Sequence, residues 1–378
     1  MASSSTVDHD DADRFDVHGP AHIMSRATAN GSSPTMIDWN NEEDRRCVAA
    51  CVVRGTYILE KDRTGCRVHP GVALAPPWWE SFNFRLLEVL KDDAFDHKGN
   101  MFIFGAIYEH ASPECHPSAP QYIVAFRGTM PAHPKAIQAG VVQRLGGIIF
   151  FHQNRKRARL AREAVEKLLA TAKGKAASEN CAIWLTGHSL GASLALDVGR
   201  AMMCDQGLNL PTFLFNPPQV SLSPAINMLL PLEGVRKELH VASNLVKAGI
   251  GLVLSPHRKR MARVFERLAP WAPNLYVHEK DIICQGFVHY FEHRQHLHER
   301  FSRVAKSAMT LSYRDMLFSA LGKDKERPHL LSSATLWKNS SMDRKVHLLQ
   351  QPLAAHKLQQ WWKPDGELKL TNRCYTFP

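Results

Sequence analysis

The sequence lacks most of the features that would take a chain to a membrane or across one. No run of about eighteen apolar residues occurs along its 378 positions, so no membrane span is expected. Its N-terminus, MASSSTVDHDDADRFD, has no apolar core for a secretory signal. Asp8, Asp10, Asp11 and Asp13 also make it too acidic for an organelle transit peptide. The eight cysteines include no Cys-x-x-Cys pair, and in a chain of this length they do not read as a disulfide framework. These absences point to a reduced, intracellular and cytoplasmic setting, with any membrane contact peripheral. There is no internal repeat, and no shift in composition marks a linker.

What is present is the composition of a globular protein, 44% hydrophobic and 22% charged. The net charge of +11 is compatible with phospholipid surfaces, acidic substrates or nucleic acid, and does not choose among them. Residues 1–35 are rich in Ser, Asp and Ala and are expected to be largely disordered. Residues 36–378 are expected to form a single domain. Asn41 followed by Glu42, Glu43 and Asp44 starts a helix running to about Glu60, and a second helix is expected over Phe82–Lys91. Strands are expected at Met101–Glu109, Gln121–Phe126, Ala182–Thr186, Thr212–Phe215, Leu275–Glu279 and Ser333–Trp337. Helices alternate with them at Arg155–Lys173, Ser189–Asp205 and from Gly286 to about Lys306. Such alternation predicts an α/β fold with a mostly parallel central sheet and helices on both faces.

The stretch from Cys181 to Ala201, CAIWLTGHSLGASLALDVGRA, carries the chemistry. An uncharged strand leads into Gly187-His188-Ser189-Leu190-Gly191, and Leu190, Leu194, Val198 and Ala201 then fall on one helix face. A serine on so sharp a strand-to-helix turn exposes its hydroxyl above the sheet, and side chains two residues before or after it would collide. Ser189 is therefore the expected nucleophile. A turn serine that merely caps a helix is the plainer alternative. His188 faces the wrong way to be its base and reads as a supporting side chain.

A serine needs a base and a group that orients the base, in the chain order Ser, acid, His. Asp281, just past a strand, is the expected acid, with Glu279 and Asp205 as rivals. Seven histidines follow: His289, His293, His296, His298, His329, His347 and His356. His356 lies after the last expected strand, where the base belongs. The oxyanion is expected to meet the N–H of Leu190 and a donor from Arg127-Gly128-Thr129, with Thr129 able to add its hydroxyl. His289 and His293 have the spacing of metal ligands, but His-Tyr-Phe-Glu-His is not His-Glu-x-x-His, so no metal or organic cofactor is expected. The apolar connection from Met130 to Asn154 is either a lid or acyl-chain wall, or a buried helix. Arg155-Lys156-Arg157 with Arg159 reads as a solvated helix face, and no nucleic acid partner is expected.

Several segments together resemble the plant branch of the class 3 (fungal-lipase-like) lipases of the α/β-hydrolase superfamily. They are FRGT at Phe126–Thr129, GHSLG at Gly187–Gly191, FNPP at Phe215–Pro218, HEKDIIC around Asp281 and AHKLQQWW around His356. FDVHGP at Phe15–Pro20, DRRCVAACV and APPWWESFNF extend the likeness over most of the chain. Some plant relatives carry the label GDSL esterase/lipase, although no Gly-Asp-Ser-Leu block occurs here. The resemblance implies an esterase or lipase acting on acyl lipids, a triad of Ser189, Asp281 and His356, and an oxyanion hole at Thr129 and Leu190. It also implies an acyl-ester or lipid substrate and contact with a membrane or lipid-droplet surface. The other readings are a non-catalytic lipid-binding or scaffold protein of the same fold and an acyltransferase using the same triad.

Overall fold

The computed structural model describes residues 11–29, 37–67, 69, 71–95, 99–112, 116–130, 148–175, 182–218, 255–300, 331–342, 346–347 and 350–377. They fall into two units. The first is drawn from Met1–Gly199, Leu210–Pro217 and Lys357–Lys369, and the second from Arg200–Asn209, Pro218–His356 and Leu370–Pro378.

In the first unit, helices α1 (Phe15–His18) and α2 (Ala21–Ala29) occupy a segment expected to be disordered. Ion pairs order it. The buried carboxylate of Asp13 receives Arg54 and Lys61, each at 2.7 Å, and the Asp13 carbonyl accepts from Trp78 Nε1 at 2.8 Å. Helix α3 (Glu42–Thr64) begins as the sequence predicts, with Asn41 Oδ1 accepting the Glu43 N–H at 2.8 Å. Helix α4 (Pro77–Glu80) is followed by a strand, β1 (Phe84–Phe95), where a helix was expected over Phe82–Lys91. The register explains the error. Irregularities between Leu86 and Glu88 and between Leu90 and Lys91 break the period-2 pattern, so Leu86, Leu87 and Leu90 mimic a helical face.

Strands β2 (Met101–His110) and β3 (Tyr122–Phe126) continue antiparallel pairing from β1. After helix α5 (Ile148–Lys175), strand β4 (Ile183–His188) pairs parallel to β3. Helix α6 (Leu190–Gln206) begins in this unit, and β5 (Thr212–Phe215) pairs parallel to β4. Every residue of β3, β4 and β5 is buried, which is why these segments carry no charge. The basic run of α5 is only partly solvated: Arg155, Lys156 and Arg159 are exposed, Arg159 reaching Glu163, whereas Arg157 turns inward to the buried Asp92 and the Phe104 ring. The lid-or-core alternative for Met130–Asn154 falls mostly on side chains outside the described residues.

The second unit contains α7 (Ser255–Leu268), β6 (Asn274–His278), α8 (Gln285–Arg300), β7 (Ala334–Asn339), α9 (Gln351–Ala355) and β8 (Leu370–Tyr375). Strands β6 and β7 are parallel, and β8 adds antiparallel to β7. Both units are thus mixed α/β, with parallel pairs where strands and helices alternate and antiparallel pairs beside them. A one-and-a-half-turn 3-10 helix at Leu358–Trp362 returns the chain to the first unit.

Candidate active site

In the first unit the turn after β4 holds Ser189 at φ +53°, a left-handed conformation that costs a non-glycine residue about 1–3 kcal/mol. Its surroundings impose this. The Ser189 N–H donates to the Phe215 carbonyl of β5 at 2.9 Å, and its own carbonyl accepts from Ala192 N at 2.9 Å as α6 begins. A Cβ on Gly187 would collide with the Gly191 carbonyl and lie 2.7 Å from Ala192 N. One on Gly191 would collide with the Phe126 carbonyl and lie 2.7 Å from Arg127 O. Backbone meets backbone there, so neither neighbour can move aside, and both positions must be glycine. The expected apolar face of α6 is buried at Leu190, Leu194, Val198 and Ala201.

Leu190 is the first residue of α6, so its N–H has no intrahelical acceptor and sits where the helix favours negative charge. Thr129 follows β3 and is exposed, while Arg127 and Gly128 are buried. Arg127 donates to the Ile103 and Gly128 carbonyls and lies 3.7 Å from Glu60. Burial pulls the Arg127 guanidinium below its ordinary value, and Glu60 opposes this.

One residue that sequence reasoning missed lies beside this turn. The phenol oxygen of Tyr57, on α3, receives the Gly128 N–H at 2.7 Å and lies 2.9 Å from His188 Nδ1. Burial pushes the Tyr57 phenol up to about 12, so it keeps its proton at any ordinary pH. His188 is thus bonded to Tyr57 next to the nucleophile turn. A mid-helix tyrosine beside valines and cysteines gives no signal in the sequence that its hydroxyl is used.

The second unit brings Asp281 and His356 together. Asp281 Oδ2 lies 2.8 Å from His356 Nδ1; the carboxylate is 0% exposed and the imidazole 19% exposed. The turn after β6 fixes the acid. Asp281 N donates to His278 O at 3.0 Å, and Oδ1 accepts the Ile283 N–H at 3.0 Å. Cys284, buried at the start of α8, also donates through Sγ to Asp281 Oδ2 at 3.1 Å. An imidazole held through Nδ1 on a buried carboxylate keeps Nε2 available for proton transfer. The rivals lie elsewhere. Glu279 pairs with Lys338 at 3.4 Å, and Asp205 is exposed on α6. Among the other histidines, His289 is half-buried on α8 and His347 is exposed, while His329 and the side chains of His293, His296 and His298 lie outside the described residues. No three His, Cys, Asp or Glu side chains gather to hold a metal among the described residues.

The first unit thus holds a serine on a strained turn, and the second a buried carboxylate bonded to an imidazole. GDSL esterase/lipase At4g10955 of Arabidopsis thaliana is 31% identical to the chain over an alignment covering 94% of this sequence and 96% of that protein. The chain belongs to the GDSL esterase/lipase family. It is a carboxylic ester hydrolase. No family model matches it, and no solved structure does. In this GDSL esterase/lipase the residues around Ser189 read Gly-His-Ser-Leu-Gly in place of the block behind the family's name. No helix among the described residues is long and apolar enough to cross a membrane.

Proposed function

We propose that the chain is a class 3, fungal-lipase-like enzyme of α/β-hydrolase architecture that cleaves acyl-lipid esters through an acyl-enzyme. Ser189 Oγ attacks the ester carbonyl and gives its proton to His356 Nε2. The Thr129 and Leu190 N–H groups hold the charge that forms on the carbonyl oxygen. His356 passes its proton to the departing alcohol, leaving the acyl group on Ser189. Water then repeats the sequence, giving its proton to His356 as the acid is released. Asp281 keeps the imidazole on the correct tautomer and stabilises its cation.

The observation that carries this reading is the strained Ser189, held between two glycines at backbone contact, at the head of a helix. Further support comes from the tail. His356 shortly precedes Trp361, whose Nε1 bonds Asn216 Oδ1 at 2.6 Å, and Asn216 follows the carbonyl that accepts the Ser189 N–H. Ile282 and Leu353, next to the acid and shortly before the base in sequence, are exposed at 46% and 37%, which suits an apolar substrate or lipid surface.

A fluorophosphonate probe and a series of p-nitrophenyl esters test the proposal. Wild type should label at Ser189, and Ser189→Ala should lose both labelling and turnover. Activity rising with acyl length and with emulsified substrate would support the lipid reading. A folded wild type that does not label would leave the fold to a scaffold role. Ester transfer to added alcohols in preference to water would make it an acyltransferase.

A further inference from the structure

The oxyanion loop poses a question that the expected roles of Ser189, Asp281 and His356 leave open. Residues Gly128 and Thr129 each carry an N–H, and only one can face the substrate oxygen. Two hydrogen bonds decide between them. The Gly128 N–H goes to the Tyr57 hydroxyl at 2.7 Å, and the Gly128 carbonyl accepts from Arg127 Nη1 at 2.8 Å. In a trans peptide the carbonyl and the next N–H point in opposite directions, and no cis bond occurs among the described residues. Holding the Gly128 carbonyl toward Arg127 therefore turns the Thr129 N–H away from it. The loop is pinned on both sides of Gly128, and the amide left over is that of Thr129.

We infer that Tyr57 is a positioning residue for ester cleavage, its hydroxyl fixing the oxyanion loop against the nucleophile turn so that Thr129 donates from a set place. The inference rests on the hydrolase reading of Ser189 given above. Gly128 has the packing this role requires. A Cβ there would stand 2.5 Å from the Tyr57 oxygen, 2.8 Å from His188 O and 3.0 Å from Ser189 Cβ. The loop thus passes between the phenol and the nucleophile with no room for a side chain. The same hydroxyl reaches His188 Nδ1 at 2.9 Å, and His188 is joined directly to Ser189. One oxygen thereby ties the loop carrying one oxyanion donor to the turn carrying the nucleophile and the other donor. A phenol has one proton and two lone pairs. With one lone pair taken by Gly128 N–H, the hydroxyl still has a proton and a second lone pair with which to bond His188 Nδ1.

A loop donor that is loosened, rather than removed, should cost transition-state stabilisation and leave substrate binding alone. Both tetrahedral intermediates use the same donors, so the loss appears in kcat whichever step limits turnover. Tyr57→Phe in the full chain, assayed with p-nitrophenyl butyrate, should lower kcat by about 10–100-fold and keep KM within about twofold. Affinity for an aryl boronic acid, which forms a tetrahedral adduct, should fall by the same factor as kcat. An unchanged kcat, or a raised KM at constant kcat, would overturn the role and leave Tyr57 as a packing or substrate-contact residue. If Tyr57→Phe does not fold, His188→Ala carries the test, since it removes the second anchor of the phenol. It should show the same split between kcat and KM, and its absence would count against the inference. Ser189→Ala separates the two claims. Full activity in that variant would end the reading of Ser189 as the nucleophile and the role of Tyr57 with it. An inactive Ser189→Ala beside an unaffected Tyr57→Phe would end only the latter.

Discussion

Asp281 shows how much one side chain's surroundings determine. Its carboxylate is fully buried and meets the Ile283 amide, the Cys284 thiol and His356 Nδ1. Replacing it by Asn keeps the shape but removes the charge and turns one oxygen into a donor facing an imidazole. Asp281→Asn is expected to fold and to lose turnover by roughly 10³–10⁴-fold. Glu279→Gln should stay near wild type, because Glu279 serves Lys338 at the surface. Steady-state kinetics on the two variants, with a circular dichroism check of folding, decide the assignment; equal losses would remove it. The sequence proposes Asp281 as the acid because chain order and a strand end both point to it. Tyr57 and Cys284 were not legible there. Their contributions are single hydrogen bonds made across the fold or within a turn, and a sequence records neither distance nor direction.

At the scale of elements, β2 to β7 could all be read from the sequence, and the plainest are those buried on every residue. β3, β4 and β5 announce themselves as uncharged runs between turn signals. β1 and β8 do not. β1 hides its alternation behind irregular register, and β8 is mostly exposed, so its residues, Leu-Thr-Asn-Arg-Cys-Tyr, show no apolar pattern. The end of β6 carries a pH-sensitive joint. His278 is buried there, its Nε2 meets the Ser341 carbonyl at 2.6 Å, and its Nδ1 accepts the Lys280 N–H at 3.0 Å. Burial holds its imidazole below the ordinary value of 6.5, although the Ser341 carbonyl and Asp281 pull the other way. The unfolded chain therefore takes up a proton that the folded chain refuses. Stability from this site is whole above the unfolded value and is lost as the pH falls through the folded one. Urea midpoints measured between about pH 7.5 and about pH 5.5 should drop in wild type and drop less in His278→Gln. Identical slopes would mean that His278 is not the group responsible.

For the whole molecule, the tail is the segment whose role depends least on its neighbours in sequence. Trp361 and Trp362 are buried in the first unit. Trp362 Nε1 bonds the His18 carbonyl at 2.8 Å and its ring lies 5.4 Å from Trp78, while Arg46, itself buried, meets Asp365 at 2.8 Å. The double tryptophan could be read as an anchor from size alone, since each indole can remove about 150–250 Å² from water. Its partners could not, because they lie at the far end of the sequence. Trp361→Ala should lower stability by about 3–5 kcal/mol, measured by urea unfolding, because a buried cavity remains and Asn216 Oδ1 loses the indole's hydrogen bond. A loss below about 1 kcal/mol would show that the tail only rests on the surface. The interleaving of the two units also has a consequence for biosynthesis. Residues up to Pro217 leave the ribosome long before Lys357–Lys369, the last piece of the same unit. At roughly 5–20 residues per second, the seat for both indoles stays open for on the order of ten seconds while the intervening chain is made. During that interval the surfaces that Trp361 and Trp362 later cover are open to solvent or to chaperones. Translation that stops short of Trp361 would release a chain with the seat of both indoles unfilled.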